Sequence, residues 1–348
     1  MIYIQSATQI SAQVPLTDEW FETPVYHEER KSLSHDPDFS NYLTPIMSRR
    51  MCSLLKRAIV TSRLTLYKAA VEMPDAIICG TGLGCIENTE KFLYSIRENE
   101  EKFLQPSFFM QSTHNIISSA IAIDLKCHGY NNTYVHRGTS FENALMDAVI
   151  QFQQHKVRSV LLGGYDELTP DYYIFFDRIG IWDFSKKIPL VHKTYCFAGE
   201  AAVSMLLHTE KNEQTLCVLN GIEIMYRPSI EKIASSLESL LGQAGCSLSD
   251  IDAVMVGTNS NPDNDAVYDN IVSHFFAGIP IMQYKHLFGQ SFTSPALGTY
   301  AAAICLNKQL IPAHLLTDRE KSISPVKRIL LYNHSQNKSH SFILLSRC

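Results

Sequence analysis

The stretch KHLFGQSFTSPALGTYAAA, Lys285 to Ala303, runs from a short segment of polar and aromatic residues into small apolar ones. Its second part continues as PALGTYAAAICLNKQ and predicts a helix over 295–309. Upstream, DAVMVGTN predicts a buried strand over 252–259 that ends at a glycine. Buried strands joined by helical crossovers are typical of layered α/β folds.

Outward from this stretch, strands and helices alternate, and the alternation occurs twice. In the first half, the pattern predicts strands at 1–11, 75–84, 131–136 and 157–168, and helices at 48–70, 87–99, 115–126 and 140–154. In the second half, it predicts strands at 215–225, 252–259, 328–335 and 340–346, and helices at 229–245, 264–276 and 295–309. Gly242 is a candidate stop for the helix over 229–245. The repetition predicts one unit, 1–348, built of two echoing halves, about 1–210 and 211–348.

Composition limits the class of protein. The chain has 348 residues, 45% hydrophobic and 19% charged, with 30 basic and 35 acidic side chains and a net charge of −5. These values disfavour a disordered chain and a nucleic-acid binder held by global charge. The start MIYIQSATQI lacks a signal-peptide pattern, and no apolar run reaches the roughly 18 residues that span a bilayer. We therefore expect a cytoplasmic protein without a membrane span.

The thiols and imidazoles show no metal-binding spacing. Nine cysteines are scattered without a CxxC pair, and thirteen histidines include no HExxH motif. We expect reduced, mostly buried thiols, and neither a metal nor another cofactor.

Two local patterns each allow a structural and a functional interpretation. Gly80-Thr81-Gly82-Leu83-Gly84 follows a predicted strand, but its GxGxG spacing differs from the GxGxxG of dinucleotide sites and favours a tight turn. A segment without acidic residues predicts either a solvated helix face or a docking patch for an acidic partner. Its basic residues are Arg49, Arg50, Lys56, Arg57, Arg63 and Lys68.

Five stretches in order resemble the β-ketoacyl synthases of the thiolase superfamily. They are 105–145, GGYDELTP (163–170), FAGEAAVSMLL (197–207), VGTNSNPDND (256–265) and the Lys285–Ala303 stretch. The resemblance implies a five-layered α/β/α/β/α duplicated fold, an obligate dimer and acyl carrier protein as the substrate carrier. It also implies that the strand over 131–136 lies at the dimer interface.

In that family, a cysteine on a sharp turn at a helix start attacks the acyl group, and two histidines stabilise the enolate of the extender unit. Aligning TYVHRGTSFENAL (133–145) with the nucleophile turn puts Gly138 at the cysteine position. Glycine tolerates a strained turn but has no side chain to hold an acyl group. On this alignment, acyl-enzyme chemistry at this position is excluded.

Both histidines are also replaced in the alignment. The first falls on Val256 and the second on Gln290, and glutamine does not act as an acid or base near neutral pH. The motif residues that remain are Lys285, Gly289, Gly257 and Thr258. The family's glycine-rich gating loop is matched by Asn333–Lys338, which predicts a polar loop without glycine or phenylalanine.

Other residues near the turn are candidates for a substitute nucleophile. We expect Cys127 and Cys196 to be buried structural thiols, and Thr139 and Ser140 to cap the helix that follows the turn. His136 and Arg137 flank the turn and are expected to face a partner or carrier.

The leading hypothesis is a non-catalytic, chain-length-factor-like subunit that pairs with an active ketosynthase and limits acyl length. Loss of both histidines disfavours a decarboxylase. One alternative is a divergent active 3-oxoacyl-carrier-protein synthase or acyltransferase that uses other residues. Another is a homodimeric module that binds acyl groups or the carrier.

Overall fold

A computed structural model describes residues 1–27, 31–49, 51–180, 198–318 and 322–348. Arg50 and Cys196, on which the sequence made predictions, lie outside the described residues. The strands of the first half are β1 (Ile2–Ile10), β2 (Lys31–Ser32), β3 (Ala76–Gly80), β4 (Tyr130–Tyr134), β5 (Ser159–Asp166), β6 (Ala198–Gly199) and β7 (Ala201–His208). Its helices are α1 (Pro45–Arg49), α2 (Ser53–Lys68), α3 (Ile86–Glu98), α4 (Pro106–Gln111), α5 (Ile116–Leu125), α6 (Ser140–Gln153) and α7 (Pro170–Arg178).

The second half has the same plan with fewer additions. Its strands are β8 (Cys217–Tyr226), β9 (Ala253–Val256), β10 (Ile281–Gln283), β11 (Arg328–Ser335) and β12 (Ser339–Ser346). Its helices are α8 (Ile230–Gln243), α9 (Pro262–Phe275), α10 (Lys285–Phe288) and α11 (Ser294–Lys308).

Strand pairing repeats from one half to the other. The ten-stranded sheet has the order β10-β9-β11-β12-β8-β1-β7-β5-β3-β4. In the first half, β1, β7 and β5 pair antiparallel, then β3 and β4 follow in parallel. In the second half, β8, β12 and β11 pair antiparallel, then β9 and β10 follow in parallel. Among the described strands, the two half-sheets are hydrogen bonded to each other through the short antiparallel pairing of β1 with β8.

Three hydrophobic clusters separate five layers. The outer face of the first half-sheet packs on α2 and α5, and that of the second packs on α8 and α9. The largest cluster lies between the half-sheets around α6 and α11. Burial on all sides explains why α11 consists largely of alanine and other apolar residues, as a central helix requires. The predicted five-layered α/β/α/β/α fold is confirmed.

The predicted strands and helices are present, with differences in detail. Elements that were not predicted are the strands β2, β6, β7 and β10 and the helices α1, α4, α7 and α10. Helix α8 continues past Gly242, and the backbone leaves the helix at Gly245, whose φ of +65° suits glycine. Gly242 was therefore wrong as the stop.

Two residues of the basic segment form ion pairs within the chain. Arg57 is buried and forms ion pairs with Asp36 and Glu200, with nitrogen–oxygen distances of 2.5 and 2.9 Å. Arg63 pairs with Asp124 of α5 at 2.5 Å. These two guanidinium groups hold α2 in place instead of facing a partner. Among the described residues, no helix is long and apolar enough to cross a membrane.

Candidate functional site

A cavity of about 360 Å³ lies beside segments that follow strands of both half-sheets. It is lined by the turn before α6, the segment after β9, the loop from α10 to α11 and the hairpin between β11 and β12. Of the positions predicted from the sequence, it brings together Gly138, Lys285, Gln290 and the 333–337 part of the predicted loop. None of the described cysteines lines it.

The turn before α6 is stabilised by hydrogen bonds between its own side chains and backbone. The Ser140 hydroxyl accepts a hydrogen bond from the amide of His136 and donates one to the carbonyl of Arg137. The Thr139 hydroxyl donates to the carbonyl of His136. Both residues start α6 as predicted, but neither caps its amides. Their hydroxyls fix the sharp turn instead, since the turn leaves polar backbone groups that need partners.

The strained residue in this turn is Arg137, which has a φ of +50°. Gly138 itself does not have a positive φ. A Cβ atom at Gly138 would stand 2.4 Å from the Ser335 hydroxyl and 2.9 Å from the Ser335 Cβ. Ser335 at the end of β11 therefore fills the space that a side chain at Gly138 would need.

The stretch Asn333–Lys338, which matches the family's gating loop in sequence, belongs to a tight hairpin. Asn333, His334 and Ser335 belong to β11, and Gln336 and Asn337 form a left-handed turn into β12. Asn333 and His334 are buried. The predicted strand over 328–335 is confirmed, and it takes up the first half of the predicted polar loop, because hydrogen bonding between β11 and β12 extends to Ser335.

Lys285 lies at the start of α10 with its ammonium group buried. Its Nζ donates to the carbonyl of Gly257 at 2.6 Å. A Cβ atom at Gly257 would stand 2.9 Å from that Nζ and 2.5 Å from the Tyr268 hydroxyl, so a side chain does not fit there. The retained lysine and glycine thus form a single close contact.

Val256 does not face the cavity. It lies in the outer core with α8 and α9. Because successive strand residues point to opposite faces, Gly257 is the residue directed towards Lys285. Neither residue supplies an imidazole. Thr258 precedes the cavity-lining Asn259.

Gln290 lines the cavity from the loop after α10. Its Nε2 donates to the carbonyl of Ser291 at 2.8 Å, and its Oε1 is buried without a hydrogen-bond partner among the described residues. Its own carbonyl accepts from the amide of Gly199 at 2.8 Å. Gly289 has a φ of +80°, and a Cβ there would stand 2.8 Å from the Gly199 Cα. This glycine is required both by its backbone angle and by the close approach of β6.

Asp166, a residue within the GGYDELTP stretch, holds the cavity wall together. One oxygen accepts from the amide of Gly82 at 2.8 Å and the hydroxyl of Thr81 at 3.4 Å. The other accepts from the amide and hydroxyl of Thr293 at 2.6 and 2.8 Å. Burial raises the pKa of Asp166, and these hydrogen bonds oppose that shift. The GxGxG turn therefore serves as a packing and hydrogen-bonding element.

Glu142 was not predicted from the sequence. It is buried in α6, and one of its oxygens accepts from the Asn333 amide at 2.8 Å and the Ser341 hydroxyl at 3.1 Å. Burial raises its pKa to about 7, although these hydrogen bonds and the charge of Lys285 act in the opposite direction. Residues almost 200 positions apart meet here, so local spacing gave no signal.

His334 is the one imidazole among the described residues that line the cavity. Its Nδ1 accepts from the amide of Asn337, and its Nε2 contacts the carbonyl of Asn264 at 3.0 Å, where it can only donate. Burial lowers the pKa of His334 to about 3. It is neutral at pH 7 with both nitrogens engaged, which leaves no free nitrogen for proton transfer.

A family model described as "Beta-ketoacyl synthase, N-terminal domain" matches residues 19–223, and the chain belongs to this family. No curated sequence relative matches the chain.

Solved structures share the fold across the whole chain. "The ishigamide ketosynthase/chain length factor" superposes with a TM-score of 0.79 at 15% identity, covering 100% of this chain and 99% of that chain. The ketosynthase ApeO in complex with its chain length factor ApeC from Xenorhabdus doucetiae matches with a TM-score of 0.79 at 15% identity, covering 100% and 98%. A type II polyketide acyl carrier protein in complex with its ketosynthase (AntDE:AntF) matches with 0.79 at 13%, covering 100% and 99%. At these identities the likeness establishes the fold.

Proposed function

We propose that this chain is a non-catalytic, chain-length-factor-like subunit that pairs with an active ketosynthase. One observation carries the proposal: the turn before α6, which the resemblance aligns with the family's nucleophile turn, presents no thiol, and Ser335 occupies the space next to Gly138. If the nucleophile position is instead Arg137, the residue with the left-handed backbone, the conclusion is the same. A guanidinium group is always charged near neutral pH and forms no acyl intermediate.

The scaffold of the cavity supports a role in shaping a substrate space. Lys285 still binds the carbonyl of Gly257, and Asp166 still joins the Gly82 turn to Thr293. A volume of about 360 Å³ lies in the range of small-molecule sites. We infer that the cavity walls limit the growing acyl chain carried by the partner and its acyl carrier protein.

The edge strand β4 supports the partner surface. It is the last strand of the sheet, and its outer edge has no strand neighbour among the described residues. Exposed Tyr130 and Val135 place apolar surface at that edge, where an unprotected strand pairs readily with another chain. The equivalent strand of the second half, β10, is bridged through Met282 to Leu316. We infer that the partner ketosynthase docks on β4.

Coexpression with an active ketosynthase encoded beside this chain tests the pairing. We expect a heterodimer by size-exclusion chromatography with light scattering, lost in Val135→Arg and kept in the control Tyr226→Arg on the exposed end of β8. Failure to form any heteromer, together with a stable self-dimer, would contradict the pairing and favour the homodimeric binding module.

Product length tests the role of the cavity. In the reconstituted pair, Val267→Phe narrows the cavity and should shift products to shorter chains, whereas Ile46→Phe on the exposed face of α1 should not. An unchanged product distribution with an intact heterodimer would contradict length control by this subunit.

The divergent-enzyme alternative has one specific observation in its favour. The Ser335 hydroxyl lies beside Gly138, where the family's thiol would project. The nearest imidazole in the cavity, that of His334, is neutral and engaged at both nitrogens, so it does not activate a serine. Turnover by the isolated chain that disappears in Ser335→Ala would establish this alternative.

A further inference from the structure

A second cavity, of about 640 Å³, lies beside the first half of strand β8. Its walls come from β8 at residues 219–223, the second half of α6, the end of α8 and the first residues of the chain. The first cavity includes Gly138 from the turn before α6, whereas the second contacts α6 between Met146 and Gln153. The two cavities share none of their described lining residues. The second cavity is therefore a separate space towards the other end of the same helix.

Strand β8 has an open edge along this cavity. Its pairing with β1 ends at Leu219, which lies opposite Ile2. On the other edge of β8, pairing with β12 continues to Tyr226. Among the described strands, residues 220–226 of β8 therefore have a strand neighbour on one side only. An open strand edge presents backbone amide and carbonyl groups that need hydrogen-bond partners.

Asn220 is the extra residue of a β-bulge in this strand. Gly221 pairs with Leu344 and Leu219 pairs with Leu345, so Asn220 has no partner residue in β12. Bulges redirect side chains and are frequent beside functional sites. Asn220 lines the second cavity, and its Oδ1 atom is shielded from solvent without a hydrogen-bond partner among the described residues. The bulge thus leaves a polar side chain unsatisfied at the cavity wall.

The carboxamide of Asn220 is complementary to another amide. Within the described part of the chain, no side-chain hydrogen bond holds it in one orientation. The terminal torsion of an asparagine is soft, so rotation brings either end of the carboxamide to the cavity. One end donates hydrogen bonds and the other accepts them. A ligand amide, which also has one donor and one acceptor, removes the cost of the unsatisfied group.

The remaining wall is largely apolar. Met146 and Val149 pack against the central hydrophobic cluster, and Phe152 belongs to it. Such a surface suits an apolar substituent, and methionine adapts to irregular shapes. The described side chains of the wall include one carboxylate, that of Glu223, and neither lysine nor arginine. These side chains do not favour an anion, so a neutral amide fits the cavity better than a carboxylate.

We propose that the second cavity binds a neutral amide that carries an apolar substituent. The amide group pairs with the carboxamide of Asn220 at the bulge, and the apolar part lies against Met146, Val149 and Phe152. The ligand thereby joins β8 to the second half of α6. Because the two cavities have different walls, this proposal does not depend on the function proposed for the first cavity.

Binding of hexanamide to the purified full chain tests the proposal, measured by ligand-observed NMR and by the shift in melting temperature. We expect saturable binding with a dissociation constant on the order of 1 mM for so small a probe. Affinity should fall about 10-fold in Asn220→Ala, and hexanoate should bind about 10-fold more weakly than hexanamide. No saturable binding of hexanamide up to about 20 mM, or equal affinities for hexanamide and hexanoate, would overturn the proposal.

Two neighbouring substitutions in α6 locate the site. Val149→Trp fills the second cavity and should abolish binding, whereas Ile150→Trp adds the same side chain at an exposed position outside it and should leave binding unchanged. Val267→Phe, in the first cavity, should also leave binding unchanged. Asn220→Ala adds no volume, so it keeps the test valid if the Val149→Trp variant does not fold. Hexanamide binding that persists unchanged in Asn220→Ala, or that disappears in Val267→Phe, would overturn the proposal.

Discussion

The two sides of the cavity differ in what they retain. On one side, Asp166 joins the Gly82 turn to Thr293, and Gly289 lies against β6. On the other, Gly138 lies against Ser335 with no thiol between them. The first side consists of contacts that shape the backbone, and the described residues of the second side include no thiol. The difference teaches that the walls of this cavity depend on glycines and buried hydrogen bonds.

The largest effect on stability is expected on the side of the cavity that contains Asp166 and Gly289. Asp166→Ala leaves the amides of Gly82 and Thr293 buried without their acceptor, which should reduce the free energy of unfolding by about 3–5 kcal/mol. Urea unfolding measures this, and the control Glu238→Ala on the exposed face of α8 should change stability by less than about 0.5 kcal/mol. If Asp166→Ala reduces the free energy of unfolding by less than about 1 kcal/mol, the structural role of the Asp166 hydrogen bonds is contradicted.

A second test on the same side uses two glycines. Gly289 has a φ of +80°, and a Cβ atom there would stand 2.8 Å from the Gly199 Cα. Gly289→Ala should therefore reduce the free energy of unfolding by about 2–4 kcal/mol. Gly242→Ala, near the end of α8 with no atom within 4 Å of the new Cβ, should instead stabilise by about 0.5–1 kcal/mol. Both are read from thermal and urea unfolding. Equal effects of the two substitutions would contradict the specific role of Gly289.

On the other side, Glu142 predicts a pH dependence. Its pKa of about 7 in the folded state exceeds the ordinary value of 4.5, so the folded chain holds an extra proton between these pH values. The free energy of unfolding should therefore fall as pH rises through this window and level off above it. Glu142→Gln does not titrate, so its stability relative to the wild type should rise by roughly 2 kcal/mol between pH 5 and pH 8. If the free energy of unfolding depends on pH in the same way in the two proteins, the raised pKa of the buried Glu142 carboxyl is contradicted.

The smallest effect concerns the occupied space beside Gly138. In Gly138→Cys, the new Cβ atom would stand 2.4 Å from the Ser335 hydroxyl oxygen. The substitution should therefore reduce the free energy of unfolding by about 1–2 kcal/mol. Adding Ser335→Gly should restore at least half of that loss, measured as a coupling energy in a double-mutant cycle. Additive effects of the two substitutions would show that Ser335 does not fill this position.

The sequence predicted the element order and the layered fold because hydrophobic periodicity and turn glycines are local signals. It placed Gly138, Lys285 and Gln290 at one site through the resemblance, and the structure brings these three to the cavity. The sequence did not predict that Val256 faces away from the cavity, because the direction of its side chain depends on the register of β9, and motif spacing does not specify the register.

Contacts between distant residues were beyond sequence reasoning for the same physical reason. Glu142 meets Ser341 only because separate layers pack together. The capping role assigned to Ser140 was wrong because its hydroxyl is engaged by the turn itself. Local propensity identified where the helix begins but not which backbone groups needed partners.

The absence of an acyl intermediate on this chain is the central claim. The most direct measurement is intact-mass spectrometry of the chain and its ketosynthase partner after incubation with acylated carrier protein. We predict an acyl adduct on the partner and an unmodified mass for this chain, both alone and in the pair. An acyl adduct that maps to a residue of this chain, with turnover by the isolated protein, would contradict the account.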